Sequence, residues 1–286
     1  MAGRRFAAEV ALVAAAFLFG STFPLVHDAL RDVTPFGYLT LRFVVAVLAL
    51  GPFALHLARR PAADRRRLLR VGVIAGVLLF GGYATQTVGL RDTSPATSAF
   101  LTGLYVLFVP FVEAAWLRRP PPLRIVVSAL AALVGLFLLT GADLALGWGE
   151  WLTVACAVLF AIWIVYQGAH VGRVDPVPFT AMQMATLVVI SVPVTAATGI
   201  GRLTGFAWFA IVFTGIACSA VALSLQLWGQ RRIPPARAAV ILLLEPVFAG
   251  IVGWCTGETL GAVEIVGAAV ILAAIGYAEL GRRPGG

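Results

Sequence analysis

The sequence predicts an all-α membrane protein of ten transmembrane helices arranged as two inverted-topology five-helix repeats. Three observations carry this expectation: the composition, ten apolar stretches of spanning length, and an internal register of about 140 residues. The chain has 286 residues, of which 60% are hydrophobic and only 12% charged, far from the balance of a soluble domain. A bilayer core about 30 Å thick takes roughly 20 helical residues. The alternation that a closed β-barrel requires is absent, so the spans are helices.

Taken in order, the first apolar stretch, about 7–27, follows Arg4 and Arg5 and outruns a signal-peptide core, so it reads as a first span. Arg31, Asp32 and Pro35 separate it from a second at about 36–57, which ends before Pro61. Stretches at about 71–90 and 95–117 are divided by Ser94 and Pro95, and Pro120 to Pro122 precede a fifth at about 123–141. The second half repeats the pattern at about 150–170, 177–198, 205–228, 236–257 and 262–280, with breaks at Asp175–Pro176 and Pro234–Pro235. Two units follow, 1–141 and 142–286.

All 21 basic residues are Arg, and their distribution orients the chain. Arg4, Arg5, Arg59, Arg60, Arg65, Arg66, Arg67, Arg70, Arg118, Arg119, Arg124, Arg173, Arg231, Arg232, Arg237, Arg282 and Arg283 fall on the side of the termini. Only Arg31, Arg91 and Arg202 fall opposite, which puts both termini in the cytoplasm by the positive-inside rule. Trp116, Trp148, Trp151, Trp208, Trp228 and Trp254 lie near span ends, as an interfacial belt requires, and Trp163 does not. The net charge of +8 is thus explained by a lipid bilayer rather than by nucleic acid. Absence of Lys and Asn beside abundant Ala, Gly and Arg fits a bacterial chain of high GC content, with the plasma (inner) membrane as its expected place.

The same composition narrows the chemistry. Without Lys there is no Schiff base and no P-loop. Cys156, Cys218 and Cys255 are scattered singly as packing residues, and His27, His56 and His170 sit at different span ends, so neither a metal site, a cofactor nor an enzyme's active site is expected. His27 beside Asp28 reads as a solvated pair, and Glu113 one turn from Arg118 as a local ion pair.

Sliding the chain over itself supplies the repeat. Gln86, Gly89, Arg91, Pro95, Ala96 and Ala99 fall on Gln226, Gly229, Arg231, Pro235, Ala236 and Ala239, and at one residue more Phe19 falls on Phe160 and Pro35 on Pro176. Five spans is an odd number, so the second copy enters the membrane upside down, an architecture of secondary transporters. In this register Arg42 overlays Gln183, Tyr105 overlays Glu245 and Gln86 overlays Gln226, three pairs polar in both copies. Arg42 and Glu245 are the two ionisable residues deep in spans, where a charge is costly unless it faces a cavity or a partner.

Each candidate has a functional and a packing reading. Arg42 either faces a cavity or ties helices together through backbone carbonyls, and Glu245 either exchanges a proton or patches the kink that Pro246 makes. Phe19, Thr22, Phe23 and Val26 form one face of the first span, overlaid by Phe160, Trp163, Ile164 and Gln167, which builds a cavity wall or a packed core. Tyr83, Tyr105 and Tyr166 supply hydroxyls to a solute or to a neighbouring helix, and Gln86 and Gln226 sit near span ends. Pro24, Pro52, Pro110, Pro193 and Pro246 inside spans mark kinks, and Gly72 with Gly76 favours close helix packing.

The order and spacing of several short stretches resemble the EamA-type permeases of the drug/metabolite transporter superfamily. They are Leu18 to Phe23, Pro35 with Leu41-Arg42-Phe43, Gly147 to Trp151, Leu244-Glu245-Pro246, and Gly257-Glu258. Where the first copy would match Gly257-Glu258 it has Arg119 to Pro122, so any role of that acidic residue falls to Glu258 alone. The resemblance implies transport of small molecules, often export of amino acids, metabolites or toxic compounds, through a cavity between the two copies. The expected site is then Arg42, Glu245, Gln183, Tyr105, Trp163, Phe19, Thr22, Phe23, Tyr83, Gln86 and Gln226, with Glu245 the candidate for proton coupling, in a monomer or homodimer. Two alternatives stand beside export: antiport or import of phosphorylated or nucleotide-linked sugars, and a structural or sensory subunit that transports nothing.

Overall fold

A computed structural model describes residues 2–20, 22–54, 62–141, 147–255 and 261–279. His56, Arg59, Arg60, Gly257, Glu258, Arg282 and Arg283, and the side chains of Trp254 and Cys255, fall outside the described residues. The chain forms α1 (Ala2–Gly20), α2 (Thr22–Ala29), α3 (Pro35–Ala54), α4 (Ala62–Gly89), α5 (Pro95–Gly103), α6 (Tyr105–Leu117) and α7 (Leu123–Thr140). The second half forms α8 (Trp148–Val171), α9 (Pro176–Thr198), α10 (Gly205–Phe213), a π-helical segment Thr214–Ala222, α11 (Leu223–Gln230), α12 (Pro235–Leu242), α13 (Leu244–Cys255) and α14 (Ala262–Glu279). Among the described residues the sole β-feature is an isolated antiparallel bridge between Val33 and Gly201.

Eight helical stretches are long and apolar enough to cross a membrane: Gly3–Ala29, Pro35–Pro52, Ala63–Gly89, Pro95–Leu117, Leu123–Thr140, Trp148–Val171, Pro176–Thr198 and Gly205–Gln230. The two other expected spans correspond to α12 with α13, interrupted at Leu243, and to α14, whose apolar part Ala262–Ala278 is shorter. Apolar side chains such as Leu48, Leu123, Val134 and Val189 point outward, as lipid-facing surface does, and Trp116, Trp148 and Trp151 are also exposed.

Helix packing follows a pairwise pattern. α3 packs on α9 and α7 on α14, while α4 packs on α8 and, correspondingly, α11 on α1. Small residues set how closely these pairs approach, because in lipid there is little hydrophobic drive between helices. A Cβ on Gly267 would stand 2.5 Å from the Leu139 nitrogen, and one on Gly135 would stand 2.7 Å from the Gly267 carbonyl oxygen, so α7 and α14 touch through backbone. Gly76 abuts Thr186 and Gly72 abuts Met182, the close α4–α9 packing that their spacing predicts. The Gly89–Gly229 identity of the repeat acquires the same cause: Gly89 lies against the Gly149 carbonyl of α8, and Gly229 against Ala8 and Leu12 of α1.

The helix interruptions fall at matching places in the two halves. α5 gives way to α6 at Leu104, and α12 to α13 at Leu243, within one residue of the repeat register. In the second half Pro246 explains the position: it has no N–H, and its ring collides with the carbonyl four residues back, at Leu242, the last residue of α12. Pro52, Pro110 and Pro193 instead lie within continuous helices. Each interruption delivers one polar residue to the first positions of the following helix, Tyr105 in α6 and Glu245 in α13.

Candidate functional site

α1 to α6, α8 and α11 to α13 converge on a cavity of about 70 Å³ at the level of Arg42. Ten of the eleven residues expected from sequence line it: Phe19, Thr22, Phe23, Arg42, Tyr83, Gln86, Tyr105, Trp163, Gln226 and Glu245. The eleventh, Gln183, does not. Its Oε1 accepts a hydrogen bond from Trp163 Nε1 at 2.7 Å, so it holds the indole from behind. Gln183 overlays Arg42, but the shorter side chain ends behind the aromatic wall instead of reaching the cavity.

Arg42 is 3% exposed. Its Nε donates to Ser219 Oγ at 2.8 Å, and the guanidinium carbon stands 4.8 Å from the Tyr83 ring centroid and 5.8 Å from that of Phe43. Among the described residues no carboxylate forms an ion pair with it. An aromatic face returns part of the lost hydration of a cation, and one terminal nitrogen donates to the Tyr83 hydroxyl at 3.5 Å, yet the terminal nitrogens keep further donors for a ligand. Ser219 was not among the expected residues. It reaches Arg42 from the π-helical segment, whose wider winding sits where Gly215 lets the backbone come against the Arg42 carbonyl.

Glu245 lies on another wall and adjoins a second cavity of about 510 Å³. Phe23, Thr102, Tyr105, Leu242 and Glu245 line both spaces, so Glu245 and Tyr105 stand between the larger vestibule and the Arg42 pocket. The vestibule is walled by the α4–α5 turn at Ser94 and Pro95, the end of α7 at Thr140 and the first turn of α14 at Glu264. Gly20 permits this arrangement, since a Cβ there would stand 2.6 Å from the Glu245 carbonyl oxygen. Gln86 Nε2 donates to Thr102 Oγ1 at 3.0 Å, whereas Gln226 Nε2 is buried with no hydrogen-bond partner. A buried amide donor left without an acceptor is costly.

The lining follows the repeat register closely: Phe19 with Phe160, Thr22 with Trp163, Phe23 with Ile164, Tyr83 with Leu223, Gln86 with Gln226, Thr102 with Leu242, and Tyr105 with Glu245. The remaining lining residues, Val26, Arg42, Leu79, Thr87 and Leu90, all belong to the first half. Their register mates are packed away from the cavity. Gln167 Nε2 donates to Gln230 Oε1, and Gln230 Nε2 donates to the Ile164 carbonyl at 3.3 Å. Beside them Arg231 donates to the carbonyls of Val171 and Val174 and to Asp175 Oδ1, at 3.3, 2.9 and 3.2 Å. At the opposite end, the matching Arg91 is exposed and His27 Nδ1 lies 3.2 Å from the Leu90 carbonyl.

Two expected local pairs are replaced by longer-range contacts. Glu113 accepts from the Ala236 N–H at 2.9 Å, capping α12 instead of pairing with Arg118, because the free N–H groups of a helix start outbid an exposed guanidinium. His27 turns to Leu90, leaving Asp28 to Arg31 at 3.3 Å. Tyr166 stands outside the Arg42 cavity, tilted against His170 with ring centroids 4.4 Å apart.

Known proteins similar to this chain agree with a transport role. An "Uncharacterized transporter" of Archaeoglobus fulgidus is 30% identical over 95% of this chain and 85% of its own length. The "Uncharacterized transporter YyaM" of Bacillus subtilis is 21% identical over 88% of this chain and 87% of its own. A solved crystal structure, 22% identical, matches with a TM-score of 0.79 over 96% of both chains, a likeness of fold. The model of the EamA-like transporter family matches twice, at residues 6–141 and 147–278. With two matches that together span nearly the whole sequence, and a relative at this identity, the chain belongs to the EamA-like transporter family.

Proposed function

We propose that this transporter is a secondary active exporter of small organic solutes that carry a carboxylate, amino acids or related metabolites, working by alternating access. The observation that carries the reading is Arg42: a buried guanidinium that faces a cavity, has no carboxylate partner among the described residues, and stands in one pocket with the unpartnered amide of Gln226. The guanidinium N–H groups of Arg42 not used by Ser219 and Tyr83, with the unpartnered amide of Gln226, suit a carboxylate, and the aromatic wall of Phe19, Phe160 and Trp163 suits an apolar side chain.

In this reading the chain spans a bacterial inner membrane ten times, as inverted repeats 1–141 and 142–286 with cytoplasmic termini. The exchange-symmetric packing, α4 on α8 matched by α11 on α1, supports the repeat. So does the pairing of cavity residues across the register. The bonded Gln167–Gln230 pair and the Arg231 latch are then the closed cytoplasmic gate, and the vestibule beside Glu245 is the open outer side. Passage to the inward state exchanges the roles of the two copies, with Val26 and Leu90 packing and their mates Gln167 and Gln230 lining the cavity. Glu245, between vestibule and pocket, is the group whose protonation couples solute movement to the proton gradient.

The alternative of a phosphorylated or nucleotide-linked sugar needs several cavity cations, and among the lining residues Arg42 is the one. The test is counterflow in proteoliposomes with labelled amino acids and organic cations, comparing the native protein with Arg42→Ala. Amino-acid counterflow that the substitution abolishes is the expected result. Counterflow confined to organic cations and indifferent to Arg42 overturns the carboxylate assignment.

A further inference from the structure

Away from the transport cavity, a groove of about 540 Å³ is walled by α4, α6 and α8 and lined by Arg66, Arg67, Arg70 and Arg173, with Trp116, Tyr166 and His170 as its aromatic side. Among the described residues no Asp or Glu lines it. Of the acidic residues near in sequence, Asp175 is bonded to Arg231, Glu113 caps α12 at Ala236, and Asp64 lies exposed one turn before Arg67, outside the lining of the groove. The aromatic side is ordered by mutual contact. Trp116 meets Tyr166 and His170 edge-on at 6.1 and 6.2 Å, and His170 Nδ1 donates to the Tyr166 carbonyl at 2.8 Å, which leaves Nε2 free for the groove. Below the guanidinium groups, Val71 and the exposed Ile74 continue the wall along the lipid-facing surface of α4.

We propose that this groove is a binding site for a phosphate-bearing anion, built to hold the headgroup of an anionic phospholipid such as phosphatidylglycerol. The physical case has two parts. A positive-inside excess requires only that Arg residues be on one side. It does not require four guanidinium groups to converge from α4 and from the turn after α8 on one recess that no carboxylate lines among the described residues. Guanidinium forks match phosphate oxygens in pairs, and basic pockets between transmembrane helices at the cytoplasmic level suit anionic headgroups. The change from a basic mouth to an apolar lower wall, with Trp116 half exposed at the boundary, fits a molecule with a charged head and a hydrocarbon tail better than a fully soluble anion. The site is independent of the solute reading of the Arg42 cavity.

The test uses the full chain purified in a neutral detergent, with lipid retention measured by native mass spectrometry during titration with phosphatidylglycerol or with zwitterionic phosphatidylcholine. Phosphatidylglycerol retained in preference to phosphatidylcholine is expected. The double variant Arg70→Gln/Arg173→Gln should weaken phosphatidylglycerol binding by about 25-fold, at about fivefold for each charge near the surface. Arg4→Gln/Arg5→Gln, which removes the same charge elsewhere on α1, should leave it unchanged. Inorganic pyrophosphate separates the sources: failure to displace the lipid assigns the site to a headgroup, and displacement with binding in the absence of lipid assigns it to a soluble phosphate compound. Equal retention of both lipids with no effect of pyrophosphate, or an equal loss in the two double variants, overturns the proposal.

Discussion

Replacing Arg42 tests the solute site most directly, and the structure sets the size of the effect. The Nε of Arg42 is committed to Ser219 at 2.8 Å and one terminal nitrogen reaches the Tyr83 hydroxyl at 3.5 Å, so the remaining terminal N–H groups are what a carboxylate would meet. Charge-assisted hydrogen bonds of this kind contribute about 1.5–3 kcal/mol, so Arg42→Ala should weaken binding of a carboxylate solute by about 10–150-fold. Stability should change less. The substitution forfeits the contact over Tyr83, worth about 0.5–2 kcal/mol, but also relieves the protein of a buried charge without a carboxylate partner. Arg42→Lys keeps the charge and loses the fork, so it should fall between the two. Equilibrium binding of the solute identified by counterflow, measured by scintillation proximity on protein of matched thermal stability, reads these values. An affinity within twofold of the native protein for both variants would refute a direct contact and leave Arg42 as a tie between α3 and the π-helical segment.

Glu245→Gln should preserve solute binding while transport loses its dependence on pH, measured by uptake into proteoliposomes at a series of pH values; unaltered pH dependence would remove Glu245 from coupling. Gln230→Leu leaves Gln167 buried without its partner, at a cost of about 1–3 kcal/mol to the sealed form. In a cysteine-free background, outside labelling of Thr22→Cys by an impermeant maleimide should therefore fall several-fold, and equal or faster labelling contradicts the gate assignment. Gly267→Ala places a methyl 2.5 Å from the Leu139 nitrogen, backbone that cannot step aside cheaply, and should lower stability by about 1–3 kcal/mol in a thermal unfolding assay. Glu113→Ala removes the acceptor at the start of α12 and should cost about 0.5–2 kcal/mol in the same assay.

The division between what sequence shows and what it hides follows from the range of the forces involved. Helices that cross a bilayer must satisfy their own backbone groups, so apolar length, Arg placement and proline punctuation are local signals, and α3 to α9 fall close to where those signals put them. The family is likewise legible, because Leu41-Arg42-Phe43 and Leu244-Glu245-Pro246 are contiguous in the chain. Register also singled out the faces of Phe19 with Thr22 and of Trp163, which line one cavity, since helical periodicity and the repeat offset are both readable along the chain. Contacts between segments far apart in sequence were not readable. Ser219 beside Arg42 depends on a π-helical winding that its apolar surroundings do not signal, although its register mate Leu79 lines the cavity. Glu113 and His27 each had a plausible neighbour within a few residues, and each found a partner on another helix. The sequence by itself determined a multi-pass helical transporter of the EamA-like family, because hydropathy and motif are carried by neighbouring residues. Tertiary structure alone decided that Arg42 faces a cavity without a carboxylate partner among the described residues, that Gln183 stands behind Trp163, and that Gln167 bonds to Gln230, because the partner of a buried polar group is chosen by packing across the bundle.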